Sequence, residues 1–274
     1  MRRLSSKILP AIVLALILLA AIPLCKYAIR TFNAHKRQHA LAKIDDEIAR
    51  DSGIDQISDV HSKLDSLRVY INDNSRHNMD AEFYTIWPDK IRLAQNMLNY
   101  IRHVRTTPPH MECSTRADLL GDIMKLRGYK IRNIVLYNVH HELVSHRVVD
   151  IFNSETGRWE TQDPDFDVYW IHKSDGVRSS IADVMVNSAE YLPCGRTGCG
   201  WSHTSSEGIK VVDLLNYIGL ITVDDRNADK RVTLYAPSTD PAQTYKNGEQ
   251  QGVFCTIIPK ECRNGFLPAK SYSN

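Results

Sequence analysis

An apolar stretch without any charged residue lies near the start of the chain, over residues 8–25. It consists mostly of Leu, Ile, Ala and Val, and about eighteen helical residues are close to the shortest length that crosses a bilayer. Three basic residues within 1–7 precede it, as in signal sequences and signal anchors. The pattern predicts a short tail over 1–7 and a transmembrane signal anchor over 8–25. A buried core helix is the alternative.

Whether this segment is kept or removed depends on the residues at its end. No clean A-x-A cleavage site is present, and Leu24 precedes Cys25 where a lipoprotein signal requires a small residue. A retained anchor is therefore favoured over a cleaved peptide. Basic residues also follow the run, so the positive-inside rule does not decide the orientation. We expect a single-pass protein held in the lipid bilayer, with its soluble domain exported to the periplasm or the cell exterior.

Helical spacing of apolar residues dominates the next part of the chain. A polar, charged segment over 26–55 predicts a helical neck. Two apolar stripes with the spacing of a helix follow, within 56–73 and 89–105. The stripes consist of Ile57, Val60, Leu64, Leu67 and Ile71, then of Ile91, Ala94, Met97, Leu98 and Ile101. Core packing explains both stripes.

The period changes from helix to strand after residue 128. Pro108 and Pro109 end the preceding helix, and a new one is predicted over 113–127 with Gly128 beyond its end. Residues 131–137, 143–152 and 158–163 are rich in β-forming side chains.

Helices followed by strands are typical of the α+β class. We expect a core over 56–170. The signals are weaker beyond it, where a helix over 210–220 and strands over 231–236 and 252–258 are predicted. Residues 171–274 are expected to form a C-terminal extension that packs on the core.

Charge and motif content exclude several classes of protein. The chain has 274 residues, with 34 basic and 32 acidic side chains and a net charge of +2. Nucleic-acid binders usually carry a strong basic excess, so no nucleic-acid partner is expected. The motifs G-x-x-x-x-G-K-[ST], G-x-G-x-x-G and H-E-x-x-H are all missing. We expect neither a cofactor nor a metal.

Four of the six cysteines form two close pairs in the sequence, Cys194 with Cys199 and Cys255 with Cys262. Two disulfides are typical of an exported domain. Four cysteines allow three connectivities, and the sequence does not choose among them. Free thiols are one alternative, and a four-thiolate zinc site, whose ligands usually stand closer together, is another.

Cys113 has a different setting, just after the Pro-Pro break and at the predicted start of a helix. Unpaired N–H groups at a helix start carry partial positive charge and favour a thiolate. The residue is therefore a candidate nucleophile, although a small buried side chain is the simpler explanation of a free cysteine.

A predicted hairpin brings a histidine and a carboxylate together. If its loop has an even number of residues, Phe152 faces Trp159, and His146 and Asp163 become diagonal neighbours on one face. The alternation of 158–163 favours this register, with Arg158, Glu160 and Gln162 pointing outward. A histidine held by a carboxylate can deprotonate a thiol and later protonate a leaving amine.

These segments resemble the transglutaminase-like superfamily. The segment E-C-S-T-R-A-D-L-L-G-D-I-M-K-L-R-G-Y-K-I-R at 112–132 is similar to its nucleophile helix and first core strand. The segment S-H-R-V-V-D-I-F-N-S-E-T-G-R-W-E-T-Q-D-P at 145–164 is similar to its His–Asp hairpin, and L-R-V-Y-I-N-D-N at 67–74 to its preceding helix. The resemblance covers roughly 60–165. It implies an α+β fold in which the nucleophile helix packs on an antiparallel sheet.

The resemblance also implies roles for three residues. Cys113 would be the nucleophile, His146 the general base and acid, and Asp163 the orienting carboxylate. The chain departs from the family at Met111, where glycine is common, and at Val148, where an aromatic is common. The expected activity is thiol-dependent acyl transfer at amide bonds of a protein or peptide substrate, with hydrolysis favoured over transamidation.

Two other functions are compatible with these sequence features. A non-catalytic, membrane-tethered binding or assembly module could use the same fold. A thiol–disulfide protein could use Cys194 and Cys199, although the C-x-x-C spacing is missing. Among other histidines, His172 and His203 could line the site, whereas His140 and His141 are expected in a solvated turn.

Overall fold

The computed structural model describes residues 8–138, 144–204, 209–216, 220–228, 230–235, 254–255, 262 and 266–268. The chain divides into two compact units, residues 1–43 and residues 44–274.

A single helix, α1 (Ile8–Asp51), runs through both the predicted span and most of the predicted neck. The expected division at residue 25 is therefore not visible as a break in secondary structure. The helix ends at Asp51, four residues before the expected end of the neck, and Gly53 follows with a φ of 74°. Among the described residues, no helix has both the length and the hydropathy that a membrane crossing requires. The span over 8–25 stays a prediction from the sequence.

The helical part of the second unit follows the apolar stripes, with shorter elements than the sequence predicts. Its elements are α2 (Val60–Asp73), β1 (Arg76–His77), α3 (Ala81–Ile86), α4 (Lys90–Ile101), β2 (His110–Met111) and α5 (Cys113–Leu126). α2 begins at residue 60 rather than 56 because the Asp59 carboxylate accepts the N–H of Ser62 and caps the helix there. Gly128 ends α5 with a φ of 84°, as predicted.

A large, mainly antiparallel sheet forms the rest of this unit. Its first strands are β3 (Ile131–Asn138), β4 (Val144–Asn153), β5 (Arg158–Asp163), β6 (Val168–His172) and β7 (Arg178–Ser179). After α6 (Ile181–Val186) come β8 (Tyr191–Gly195), β9 (Gly198–Cys199), β10 (Leu220–Asp225), β11 (Lys230–Tyr235) and β12 (Phe266–Pro268). Within the described ranges the strand order is β12-β11-β10-β3-β4-β5-β6-β8-β9, with β7 beside β6. The predicted α+β class is confirmed.

Helices cover both faces of this sheet. α5 packs on β3 and β4, and its Gly121 allows the approach, since a Cβ there would lie 3.2 Å from side-chain atoms of Ile131 and Val149. On the opposite face, α6 joins an apolar core that includes Leu136 and Val148. Burial of this apolar surface is the main stabilising contribution to the fold.

The C-terminal extension contributes strands to the same sheet. β10 pairs with β3 and β6 pairs with β8, so hydrogen bonds cross the expected boundary at residue 170. The predicted helix over 210–220 is a short 3₁₀ helix, Val211–Asn216. The predicted strand over 231–236 corresponds to β11, whereas most of 252–258 lies outside the described residues.

The two close cysteine pairs are both disulfides, Cys194–Cys199 and Cys255–Cys262. Cys25 and Cys113 are free.

The outward face predicted for β5 is confirmed at Arg158, which is exposed, but it is wrong for the two residues that follow on this face. Glu160 and Gln162 are buried, because α2 covers this side of the sheet and supplies polar partners. Glu160 lies 2.9 Å from His61 Nε2, and Gln162 Oε1 accepts a hydrogen bond from Arg68. Alternation identifies the two faces of a strand, but it does not show that a second layer covers the polar one.

Candidate active site

Cys113 is the first residue of α5 and is only 8% exposed. The chain enters the helix in an extended conformation at Glu112, whose backbone N–H donates to Thr115 Oγ1 at 2.9 Å. This contact fixes the first turn. Cys113 therefore lies at the positive end of the helix dipole, as the sequence predicts.

His146 and Asp163 lie together where β4 begins and β5 ends. Phe152 pairs with Trp159, which confirms the even register of the hairpin. His146 Nε2 lies 2.8 Å from Asp163 Oδ2, and both side chains are buried. A carboxylate only accepts hydrogen bonds, so Nε2 carries the proton in this pair. Nδ1 is left as the ring nitrogen that can accept a proton.

The Asp163 carboxylate is fixed from its other side by a tight turn. Its Oδ1 accepts the backbone N–H groups of Asp165 at 2.9 Å and Phe166 at 3.2 Å. The Phe166 ring lies edge-on to the His146 ring, with centroids 5.2 Å apart. The turn thus orients both members of the His146–Asp163 pair.

Cys113 and His146 lie close enough for each side chain to shift the pKa of the other. Burial raises the pKa of Cys113, while the contact with His146 and its charge act in the opposite direction. Burial would lower the pKa of His146, but the charge and hydrogen bond of Asp163 outweigh it and raise that pKa well above its usual value. The structure therefore places Cys113 near the hydrogen-bonded His146–Asp163 pair, and the charge of Asp163 favours a protonated imidazole there.

Glu112 is a neighbour of the thiol that the sequence reasoning missed. Its Oε2 accepts a hydrogen bond from Cys113 Sγ at 3.2 Å, and its Oε1 accepts one from the Ser114 hydroxyl. The negative charge of Glu112 contributes to raising the pKa of Cys113. In this arrangement the carboxylate occupies the helix start that would otherwise stabilise a thiolate.

A buried network around Asp165 was also missed. Arg116 Nη1 donates to Asp165 Oδ1 at 2.9 Å, and His77 Nδ1 lies 2.7 Å from the same oxygen. Burial opposes the ionisation of Asp165, but the hydrogen bond from His77 and the charges of His146 and Arg116 hold its pKa below the usual value. The signal in the sequence was an arginine one turn after Cys113, next to the apolar residues of the predicted helix.

A polar pocket of about 370 Å³ adjoins the site. Asp165 and Phe166 form one wall, and Arg196 and Thr197 of the β8–β9 hairpin form another. The Cys194–Cys199 disulfide closes this hairpin, and Arg196 Nε lies 2.5 Å from Asp167 Oδ2. The pocket offers space for a hydrophilic group beside the turn that holds Asp163, while Cys113, His146 and Asp163 themselves do not line it.

The other histidines singled out in the sequence differ in their position relative to the site. His203 lines the same pocket, and its Nε2 lies 2.8 Å from the carbonyl oxygen of Gly198. His172 lies away from the site, beside Tyr191 and within 3.4 Å of Glu190. His140 and His141 lie outside the described residues. Within the part of the chain that the structure describes, no cluster of three or more His, Cys, Asp or Glu residues could hold a metal ion.

Comparison with known proteins gives no match at the level of sequence. No family model matches the chain, and no curated protein matches it.

Two solved structures share a partial likeness with the chain. "Crystal structure of a TGase" is similar over 46% of this chain and 32% of its own, with 13% identity and a TM-score of 0.32. A structure of Rad4–Rad23 bound to a 6-4 photoproduct UV lesion is similar over 82% of this chain and 51% of its own, with 9% identity and a TM-score of 0.35. The chain thus spans about a third of the first protein and about half of the second. Likenesses at these TM-scores do not indicate a function for this chain.

Proposed function

We propose that the chain is a thiol-dependent enzyme that transfers or hydrolyses acyl groups at amide bonds, with Cys113, His146 and Asp163 as its catalytic residues. The observation that carries this proposal is the buried His146–Asp163 hydrogen bond beside a cysteine that begins a helix, with the cysteine close enough to His146 for each to shift the pKa of the other. This arrangement supplies a nucleophile, a base beside it and a group that orients the base.

The reaction would proceed in two steps. In the first, the thiol proton of Cys113 lies on His146, and the thiolate of this ion pair attacks the carbonyl carbon. His146 then returns the proton to the leaving amine, and a thioester remains on Cys113. In the second, His146 deprotonates water or an amine that attacks the thioester, and the proton returns to the sulfur. Asp163 stabilises the imidazolium form in both steps.

We propose a protein or peptide amide as the substrate, with hydrolysis favoured over transfer. No separate amine-binding site is evident among the described residues, whereas water is always present. The two outcomes differ in their products. Hydrolysis of a carboxamide releases ammonia and leaves an acid, whereas transfer incorporates an added primary amine. Mass spectrometry of a glutamine- and asparagine-containing peptide pool, with and without such an amine, distinguishes them.

Selective alkylation of Cys113 tests the catalytic proposal. Cys25 is the other free cysteine, so a Cys25→Ser background makes iodoacetamide uptake report on Cys113. We expect Cys113 to react about tenfold faster at pH 7 than in a His146→Gln variant, which corresponds to one pKa unit at the thiol. Equal rates in the two proteins would remove His146 from the role of base.

A non-catalytic binding module on the same fold is the second candidate. The contact between the Cys113 thiol and Glu112 favours it, because this contact together with burial raises the pKa of the thiol. Under this alternative Cys113 would be inert to iodoacetamide in the native protein and reactive only after denaturation. The same alkylation experiment therefore separates the two functions.

We propose an exported location on the basis of the two disulfides, which persist in oxidising compartments. Anchoring by residues 8–25 is proposed from the sequence alone. Peptide mapping without reductant should recover the Cys194–Cys199 link from protein purified from its native compartment. Retention in the membrane fraction after alkaline carbonate washing tests the anchor, and release into the supernatant would contradict it.

A further inference from the structure

We propose that Arg116 and Asp165 form a positioning pair that fixes the thiol of Cys113 relative to His146 and Asp163. The inference rests on the proposed function, and it assigns to that site two residues that act through the catalytic groups rather than on the substrate.

Arg116 and Cys113 both belong to α5. Arg116 follows Cys113 by three residues, so the two side chains lie on neighbouring positions of one helix face. Both are buried, and the side chain of Arg116 is only 1% exposed. A displacement of the Arg116 backbone therefore moves Cys113 with it.

Asp165 lies in the turn after β5. The backbone N–H of Asp165 donates to Asp163 Oδ1 at 2.9 Å. The carboxylate of Asp165 thus belongs to the same turn that orients Asp163. A displacement of Asp165 would be transmitted to Asp163 and from there to His146.

The ion pair between Arg116 and Asp165 joins these two elements. Arg116 Nη1 donates to Asp165 Oδ1 at 2.9 Å, while its Nε and Nη2 donate to Ser75 Oγ and Ser75 O, each at 2.9 Å. The guanidinium is planar and its donors point in fixed directions, so three simultaneous bonds leave little freedom. His77 Nδ1 holds Asp165 Oδ1 from a further side at 2.7 Å.

Stability alone does not account for this pair. A buried ion pair is often no more stabilising than apolar side chains of similar volume, because both charges lose their hydration. The pair does, however, connect the start of the cysteine helix with the turn that holds the carboxylate, which is the geometry that the proposed reaction needs.

The test is the pH dependence of Cys113 alkylation by iodoacetamide in the full chain with Cys25→Ser. The double variant Arg116→Met with Asp165→Asn removes both charges, so no unpaired charge is buried. The charge of Asp165 acts to raise the pKa of Cys113, so its loss alone would move the alkylation profile to lower pH, opposite to the effect of lost positioning. The other charged groups near the thiol, Glu112, His77, Asp163 and His146, stay in place. We expect the alkylation profile to move to higher pH and the rate at pH 7 to fall about tenfold.

A matched control lies at the other end of the same helix. Arg127 follows the last residue of α5 and forms a bidentate pair with Asp55, with N–O distances of 2.6 Å and 2.7 Å. The double variant Arg127→Met with Asp55→Asn should lower stability but keep the wild-type alkylation profile. A merely structural role of Arg116 and Asp165 would make the two double variants behave alike.

Arg116→Lys covers the case in which the first double variant does not fold. Lysine keeps the charge but cannot bond Asp165 and both Ser75 oxygens in the same geometry, so the profile should move in the same direction by a smaller amount. A wild-type profile in Arg116→Lys, or equal shifts in the two double variants, would overturn the inference. Failure of the proposed function would look different, since the alkylation rate of Cys113 would then not depend on His146 even in the parent protein.

Discussion

Replacing Asp163 with asparagine removes the charge that holds the proton on His146. The resulting loss in free energy of unfolding should depend on pH. The amide oxygen of asparagine can still accept the N–H groups of Asp165 and Phe166, which now meet Asp163 Oδ1. The other side of the group changes, because an amide N–H₂ would face His146 Nε2 where a carboxylate oxygen lies now. Two donors would then point at each other unless the imidazole changes its tautomer.

The size of the effect follows from the burial of both partners. Asp163 is fully buried and His146 is 6% exposed, so solvent screens their attraction very little. A hydrogen bond to a charged group contributes about 1.5–3 kcal/mol. The pKa of His146 is raised in the folded state, so this stabilisation is fully present below the unfolded-state pKa of about 6.5. It is lost as the pH rises through the higher pKa of the folded protein.

Urea unfolding of the oxidised protein at pH 5.5 and at pH 9 measures the difference. Asp163→Asn should lower the free energy of unfolding by about 2 kcal/mol more at pH 5.5 than at high pH. Asp175→Asn is the control, because Asp175 accompanies His172 at 3.3 Å on the surface and is exposed. The change in free energy of unfolding caused by Asp175→Asn should depend little on pH. A loss from Asp163→Asn that is equal at both pH values, or larger at pH 9, would refute the assignment of a charged His146–Asp163 pair.

Three further predictions address other parts of the structure. Glu112→Gln removes a negative charge beside the thiol and should speed the alkylation of Cys113 several-fold at pH 7. Glu155→Gln, at the tip of the β4–β5 hairpin, is the control and should leave the rate unchanged. Slower alkylation in Glu112→Gln would contradict an electrostatic effect of Glu112 on the thiol. Burial raises the pKa of Asp45 to about 8, so folding favours its protonated form and stability falls as the pH rises from about 4 to 8. Asp45→Asn should therefore stabilise the protein at pH 8 by on the order of 5 kcal/mol and change little at pH 4, and thermal unfolding at the two pH values would show this. Gly121→Val should lower the free energy of unfolding by about 2 kcal/mol. The valine side chain would overlap two sheet side chains that already lie 3.2 Å from the position of a Cβ. An unchanged free energy of unfolding in urea would mean that the helix can move away from the sheet.

The sequence was sufficient for features that depend on local patterns. Apolar periodicity predicted α2, α4 and α5, and Gly128 marked the end of α5 because it has the positive φ that glycine tolerates. The alternation around Trp159 predicted the register of the β4–β5 hairpin. The side-by-side placement of His146 and Asp163 follows from that register.

Features that depend on distant parts of the chain were not predictable in the same way. Gln162 is polar and alternates with Thr161 and Asp163, which indicates an exposed position until α2 is known to lie over it. The pairing of β10 with β3 joins segments about ninety residues apart, and periodicity contains no information about that partner. Asp165 had no distinguishing pattern, because its role depends on Arg116, 49 residues earlier.

The most direct test of the account is the search for an acyl group on Cys113 during turnover of an activated ester. The protein would be mixed with p-nitrophenyl acetate, quenched with acid and analysed by intact mass and peptide mapping. The account predicts a burst of nitrophenol and a transient acetyl thioester on the peptide containing Cys113, slower in His146→Gln and missing in Cys113→Ala. Acetylation that is equal in Cys113→Ala, or that never reaches Cys113, would contradict the assignment of this cysteine as the nucleophile.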